Sequence, residues 1–348
     1  MRVGIPAVFA LAASAGLASA AGAPEVATFI VSGIALAGLA WVITVATESV
    51  GERFGPAVTG VMQASLGNLP ELFVVVFALR AGERVLAETS ILGSLFANAL
   101  LVMGLVLLAG CRAAPDGVMR FHPRLPQDTT TLLILAVFMI VLLGLSVGSA
   151  DPAAAHRVAI SAIGAVLLIT VYGIWLLRYV REPRGHRERA PEQGEPRVTF
   201  RTAVALLALG GLAAAFVSDW FVAALDPALQ ALHLSKQFAG IVIVAIASNA
   251  VEHFAGVVLA SRGKSDLAVS VVKNSVSQIA LFLYPALVLI SLLFPTHLTF
   301  VIQPVYVGAL ALTALALWQI TGDGEAYPFE GWALVALYLI LAVFAFFE

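Results

Sequence analysis

Two ten-residue stretches place carboxylates inside sequence that is otherwise apolar enough to cross a membrane: "ASLGNLPELF", residues 64–73, and "IASNAVEHFA", residues 246–255. Each has an Asn three positions before a Glu, Asn68 with Glu71 and Asn249 with Glu252, so on a helix each pair shares one face. A carboxylate at bilayer depth is costly and by default functional. An offset of 181 positions lays one stretch on the other, and it also lays Gly82 on Gly263, Leu86 on Leu267, Ala87 on Ala268 and Ser94 on Ser275. Pro70 offers no N–H to the carbonyl of Leu66, and Gly67 loosens the same turn. Carbonyls freed at that depth are tolerated where they line a cavity or bind an ion. Carboxylates, amide oxygens and carbonyls are hard donors that suit Ca²⁺ rather than Zn²⁺ or copper. The following helix in each half adds Ser94 and Asn98, or Ser275 and Gln278. Two carboxylates in a low-dielectric site cannot both stay ionised without a counter-charge, so they take a divalent cation or protons. Such a pair titrates as one coupled unit. Mutually exclusive occupancy, opened to each side in turn, suffices for cation/proton exchange.

The elements that must carry these residues follow from composition. The 348 residues are 61% hydrophobic and 11% charged, against about 25% charged in soluble domains, so the chain is a polytopic membrane protein whose first partner is the lipid bilayer. With about 20 apolar residues per crossing, spans are expected at 3–21, 26–46, 57–79, 88–110, 130–149, 157–178, 202–223, 238–260, 267–293, 299–319 and 330–347. This all-α reading has eleven helices. Residues 1–25 are an extra first helix, 26–180 and 201–348 are five-helix repeats, and 181–200 is a linker whose polar part is 181–197. "MRVGIPAVFALAASAGLASA" also has the form of a signal peptide, but the helix is favoured because no exported soluble domain follows. The Glu-bearing helices are the third and eighth, and their odd separation makes the repeats inverted, an architecture of many secondary transporters. Fourteen Lys and Arg fall on one side against four on the other, which puts the N-terminus and the linker in the cytoplasm and the C-terminus outside.

The same counts exclude several classes. A net charge of −2 without a basic, aromatic-interleaved stripe gives no nucleic-acid surface. One cysteine, Cys111, allows neither a disulfide framework nor a thiolate cluster. An enzyme would need a nucleophile with its base or a metal-activated water, and neither HExxH nor Gly-x-Ser-x-Gly occurs. No cofactor is expected.

"GNLPELFVVVFALRAGERVLAETSILGSLFANALLVMG" and "SNAVEHFAGVVLASRGKSDLAVSVVKNSVSQIALFLYPALVL" resemble the paired signature repeats of the calcium/proton exchangers, in the cation/calcium antiporter superfamily. The resemblance runs from about Val26 to the C-terminus. It implies an extra helix before two inverted five-helix halves, and Ca²⁺ exchanged for H⁺; the excess of Arg over Lys and the abundant Ala point to a bacterial plasma membrane. It also implies that Glu71 and Glu252 carry the cation, supported by Asn68, Asn249, Ser275 and Gln278. His253 after Glu252 matches this family rather than the sodium/calcium exchangers. Thr47-Glu48 and Ser218-Asp219 match family positions thought to line the ion's approach, with Asp219 shorter than the usual Glu. Ser248 and Asn274 stand where the family has Gly, and Lys273 occupies a usually apolar position.

Each residue also has a plainer reading. The Asn, Ser and Gln side chains can act as interhelical glue. Glu48 and Asp219 can be solvated span ends. His253 either relays protons or hydrogen-bonds a neighbouring helix. Lys273, two residues from Ser275, points nearly to the opposite face and is expected to snorkel to the cytoplasmic interface. Mn²⁺ takes the same oxygen ligands as Ca²⁺, and a Na⁺ or K⁺/H⁺ antiporter would use the same site. A passive channel is the third reading, but channels are usually symmetric rings around a pore.

Overall fold

The computed structural model describes residues 4–54, 67–122, 124–181 and 198–348. Residues 182–197 of the expected linker 181–200 and residues 57–66 of the expected span 57–79 lie outside the described residues. The helices are α1 (Gly4–Ala20), α2 (Glu25–Phe54), α3 (Leu69–Arg80), α4 (Arg84–Ala113), α5 (Arg124–Gly148) and α6 (Arg157–Arg181). They continue with α7 (Phe200–Leu232), α8 (residues 236–261), α9 (Ser265–Ser291), α10 (Pro304–Thr321) and α11 (Pro328–Phe347). Among the described residues eight helices are long and apolar enough to cross a membrane, and α8, counted as one span, makes a ninth. Of the rest, α1 is an apolar helix of 17 residues and α3 has 12. The outward faces are apolar, with Phe138, Leu145, Leu312 and Ile340 exposed, while Ser94, Asn98 and Glu71 are buried. That inversion of the soluble pattern marks a multi-pass membrane protein.

The described backbone carries marks of the 181-residue offset. Gly82 and Gly263 both have left-handed backbones, with φ of 80° and 72°. At these helix ends the N–H of Glu83 donates to the Ala78 carbonyl at 2.7 Å, and that of Lys264 to the Leu259 carbonyl at 3.0 Å, each five residues back as in a Schellman cap. A π-helical stretch at Ala97–Val102 in α4 is answered by one at Ile279–Leu283 in α9. A third, Ala239–Val244 in α8, has its equivalent outside the described residues.

Packing divides the chain differently from its sequence halves, into two compact units that each draw on both. The first comprises Met1–Ser90 and Trp175–Val251. Within it α2 and α7 run antiparallel: the rings of Phe29 and Phe221 stack at 4.7 Å, and farther along, Gly210 lies against Ile43. Gly38 lets α1 close on α2, since a Cβ there would stand 2.9 Å from Val8. At the α3–α4 turn Glu83 accepts from Lys236 at 2.6 Å, and Lys236 also reaches Asp226 of α7 at 2.9 Å.

The second unit comprises Ile91–Ile174 and Glu252–Glu348. Gly104 of α4 and Gly331 of α11 bring two backbones together, since a Cβ on Gly104 would stand 2.7 Å from the Gly331 carbonyl oxygen. A two-residue antiparallel ladder, β1 (Met119–Arg120) with β2 (Glu325–Ala326), ties the loops before α5 and α11. Beside it the N–H of His122 donates to Asp266 Oδ1 at 2.5 Å, fastening the start of α9.

Candidate functional site

In the first unit the break expected at Gly67 and Pro70 is a turn followed by a helix start. Asn68 is the N-cap residue of α3, with φ −96° and ψ 19°, and Pro70 falls in the first turn. There its missing N–H is not needed by the helix. Pro70 therefore falls in the opening turn of α3. Asn68 is 4% exposed; its side chain makes no capping bond, and its Nδ2 has no hydrogen-bond partner among the described residues. Glu71 is fully buried in the same first turn, where the helix N-terminus favours a carboxylate.

The second signature is built differently, within the helix Ala245–Ser261 rather than at a helix start. Asn249, in the first unit, donates through Nδ2 to the Ala245 carbonyl at 3.1 Å and to Ser248 Oγ at 3.0 Å. Ser248, where the family has Gly, thus holds the Asn249 amide. Glu252 opens the second unit's share of α8, and its Oε2 accepts from Ser275 Oγ of α9 at 2.6 Å. Both residues are candidate ligands from the sequence. Gln278, on the same face of α9, is buried, as are Ser94 and Asn98 of α4. Asn98 donates to the Ser94 carbonyl at 3.0 Å, within its own helix at the edge of the π-helical stretch.

The remaining candidates divide. The hydroxyls of Thr47 and Ser218 are buried with no hydrogen-bond partner among the described residues. Asp219 is exposed, while the side chain of Glu48 lies outside the described residues. His253 is half-buried and its Nε2 has no hydrogen-bond partner among the described residues. Lys273 corrects the expectation from sequence. Instead of reaching the interface it is 2% exposed and donates through Nζ to Thr130 Oγ1 of α5 at 2.5 Å. The neighbouring Ser277 Oγ donates to the Thr129 carbonyl at 3.2 Å. The run Thr129-Thr130-Thr131, polar in an apolar span, was the signal in the sequence for this second polar contact of α9.

Among the described residues no three of His, Cys, Asp and Glu cluster as a metal site.

A model of the sodium/calcium exchanger protein family matches residues 25–180 and 202–347. The vacuolar calcium ion transporter of Schizosaccharomyces pombe is 32% identical over 92% of this chain and 78% of its own length. The Ca²⁺/H⁺ antiporter ChaA of Bacillus subtilis is 30% identical over 92% of each chain. Among solved structures, the Ca²⁺/H⁺ antiporter protein YfkE superposes with a TM-score of 0.83 at 26% identity, covering 100% of both chains. A family model matched twice across nearly the whole length, together with the two Glu signatures, means that this chain belongs to the calcium/proton exchangers of the cation/calcium antiporter superfamily.

Proposed function

We propose that the protein is a secondary active transporter that exchanges Ca²⁺ for H⁺ by alternating access, with Glu71 and Glu252 binding the cation or protons in turn. The observation that carries this reading is the Glu252–Ser275 contact at 2.6 Å on the second signature, whose Asn and Glu repeat those of the first. As a carboxylate, Glu252 accepts a hydrogen bond from Ser275 Oγ and offers its other oxygen to a cation. When protonated it is neutral and no longer attracts one. Asn68, Asn249, Gln278 and Ser275 supply neutral oxygens that cost no proton to desolvate. His253 beside Glu252 passes protons, and Thr47, Glu48, Ser218, Asp219, Ser94 and Asn98 line the ion's route.

The two halves 26–180 and 201–348 act as inverted repeats in this scheme. The double match of the family model, the paired Gly82 and Gly263 turns and the paired π-helical stretches support them. The Lys and Arg asymmetry supports a cytoplasmic N-terminus and linker in a bacterial plasma membrane. The test is ⁴⁵Ca²⁺ uptake into voltage-clamped proteoliposomes under an imposed pH gradient, with Glu252→Gln alongside. Uptake that needs the gradient and disappears in the variant is expected. A gradient dissipated by Na⁺ or K⁺ without Ca²⁺ movement would keep the family and overturn the ion, and a gradient-independent leak would indicate a channel.

A further inference from the structure

Helix α9 runs through a proline. Pro285 has no N–H for the Leu281 carbonyl, and in an uninterrupted α-helix its ring would clash with that carbonyl. The turn ahead of it is the π-helical stretch Ile279–Leu283, where the Tyr284 N–H donates to the Ile279 carbonyl, five residues back. Widening a turn in this way is one of the adjustments by which membrane helices accommodate proline. The helix is anchored separately on each side of that turn, all within the second unit. Before it, Asp266 Oδ1 accepts from the His122 N–H at 2.5 Å and Ser277 Oγ donates to the Thr129 carbonyl at 3.2 Å. After it, the Tyr284 hydroxyl donates to the Thr299 carbonyl at 2.7 Å, and its ring meets Phe300 edge-on with centroids 4.9 Å apart. Ser291 Oγ, farther along, accepts from the Leu298 N–H at 2.8 Å.

The width of a turn between two anchored ends decides which way the first end faces. A π turn holds about one residue more than an α turn, and one residue is about 100° of rotation and about 1.5 Å of rise. Closing the turn with the Tyr284 end fixed would swing Ser275 and Gln278 by about that angle from their present direction. Ser275 now donates to Glu252 at 2.6 Å, and Gln278, three residues on, immediately precedes the wide turn. The 181-residue offset lays Pro285 on Gly104 of α4, which has no ring to hold the matching π-helical stretch open. There the Asn98 amide donates to the Ser94 carbonyl at 3.0 Å instead. We propose that Pro285 is a positioning residue for exchange: it keeps the turn Ile279–Leu283 wide, and the wide turn aims Ser275 and Gln278 at the Glu252 carboxylate. The proposal rests on the reading above that Glu252 binds the transported cation. Pro285 acts through the register of its own helix rather than by touching the ion.

The test is ⁴⁵Ca²⁺ uptake by the full-length protein in proteoliposomes under an imposed pH gradient, read as KM and kcat, beside its melting temperature in detergent. Pro285→Ala supplies the missing N–H and removes the ring, so the turn can close. It is expected to raise the KM for Ca²⁺ about tenfold, the scale of one hydrogen bond to a carboxylate. The melting temperature should hold or rise, because alanine suits a helix interior and proline does not. Replacing Pro285 by lactic acid, joined through an ester, removes the N–H again without restoring the ring, and should return KM toward wild type. Pro328→Ala, at the start of α11 where the N–H is not needed, should leave KM unchanged. Pro285→Gly supplies the same N–H and carries the test should Pro285→Ala not fold. A wild-type KM, a fall in melting temperature, or a raised KM that the ester leaves uncorrected would overturn the proposal, because lost packing is not repaired by deleting an N–H. Glu252→Gln that keeps Ca²⁺ uptake would overturn the assignment of Glu252 and this inference with it. Glu252→Gln that loses uptake, beside a Pro285→Ala with wild-type KM, overturns the role of Pro285 alone.

Discussion

Glu71 and Glu252 are the acids of the two signatures, yet different devices hold them. Glu71 sits in the first turn of α3, where unpaired N–H groups favour a negative charge. Glu252 relies on one hydroxyl, Ser275 Oγ, at 2.6 Å. A hydrogen bond to a charged group contributes about 1.5–3 kcal/mol. Ser275→Ala should therefore raise the KM for Ca²⁺ roughly ten- to hundredfold, measured as initial uptake rates, with Ser275→Thr retaining most of the affinity. The pairing of these acids was legible because Asn and Glu recur three apart at a fixed offset in a chain with few polar residues. Their different settings were not, since the second signature lacks the Pro that starts α3 and takes its Ser from another helix. Lys273 was misjudged for a related reason. Spacing gives a residue's angle on its own helix but not what the neighbouring helix presents there, and Thr130 presents a hydroxyl acceptor.

Among the helices, closeness of approach is set by glycines that no hydropathy pattern reveals. A Cβ on Gly240 of α8 would stand 2.0 Å from Thr89 Oγ1 and 2.8 Å from the Ser90 backbone nitrogen of α4. Backbone cannot swing aside as a side chain can, so Gly240→Ala should destabilise by about 1–3 kcal/mol, seen as a lower melting temperature in detergent. Gly22→Ala, with φ 65° but open space around it, should cost less, through backbone strain alone. The Lys236 bridge to Glu83 and Asp226 joins the α3–α4 turn to α7 and α8 at a partly exposed position. Lys236→Met should lower stability by about 1 kcal/mol or less, and the deficit should shrink as salt is added. Eight of the expected spans, or nine with α8, coincide with described helices that are long and apolar enough to cross a membrane. The matching π-helical stretches were not legible, because a π turn changes hydrogen bonding without changing composition.

For the molecule as a whole, the halves visible in the sequence are not the bodies that pack. Each unit takes helices from before and after the linker, a pairing of distant segments that a linear pattern does not carry. Two chains covering residues 1–181 and 198–348 should therefore co-purify and restore Ca²⁺ uptake when produced together. Either alone should be degraded or aggregate, as size-exclusion profiles would report. The same interleaving bears on how the protein is made. The helices up to Ser90 leave the ribosome long before residues through Val251 exist to complete their unit. At roughly 5–20 residues per second the delay is on the order of ten seconds. Through that interval the Glu71 carboxylate waits in a half-built membrane protein without α7 beside it. Biogenesis should then depend on an insertase or lipid environment that shelters a polar, unfinished bundle, and slower translation should lower the yield.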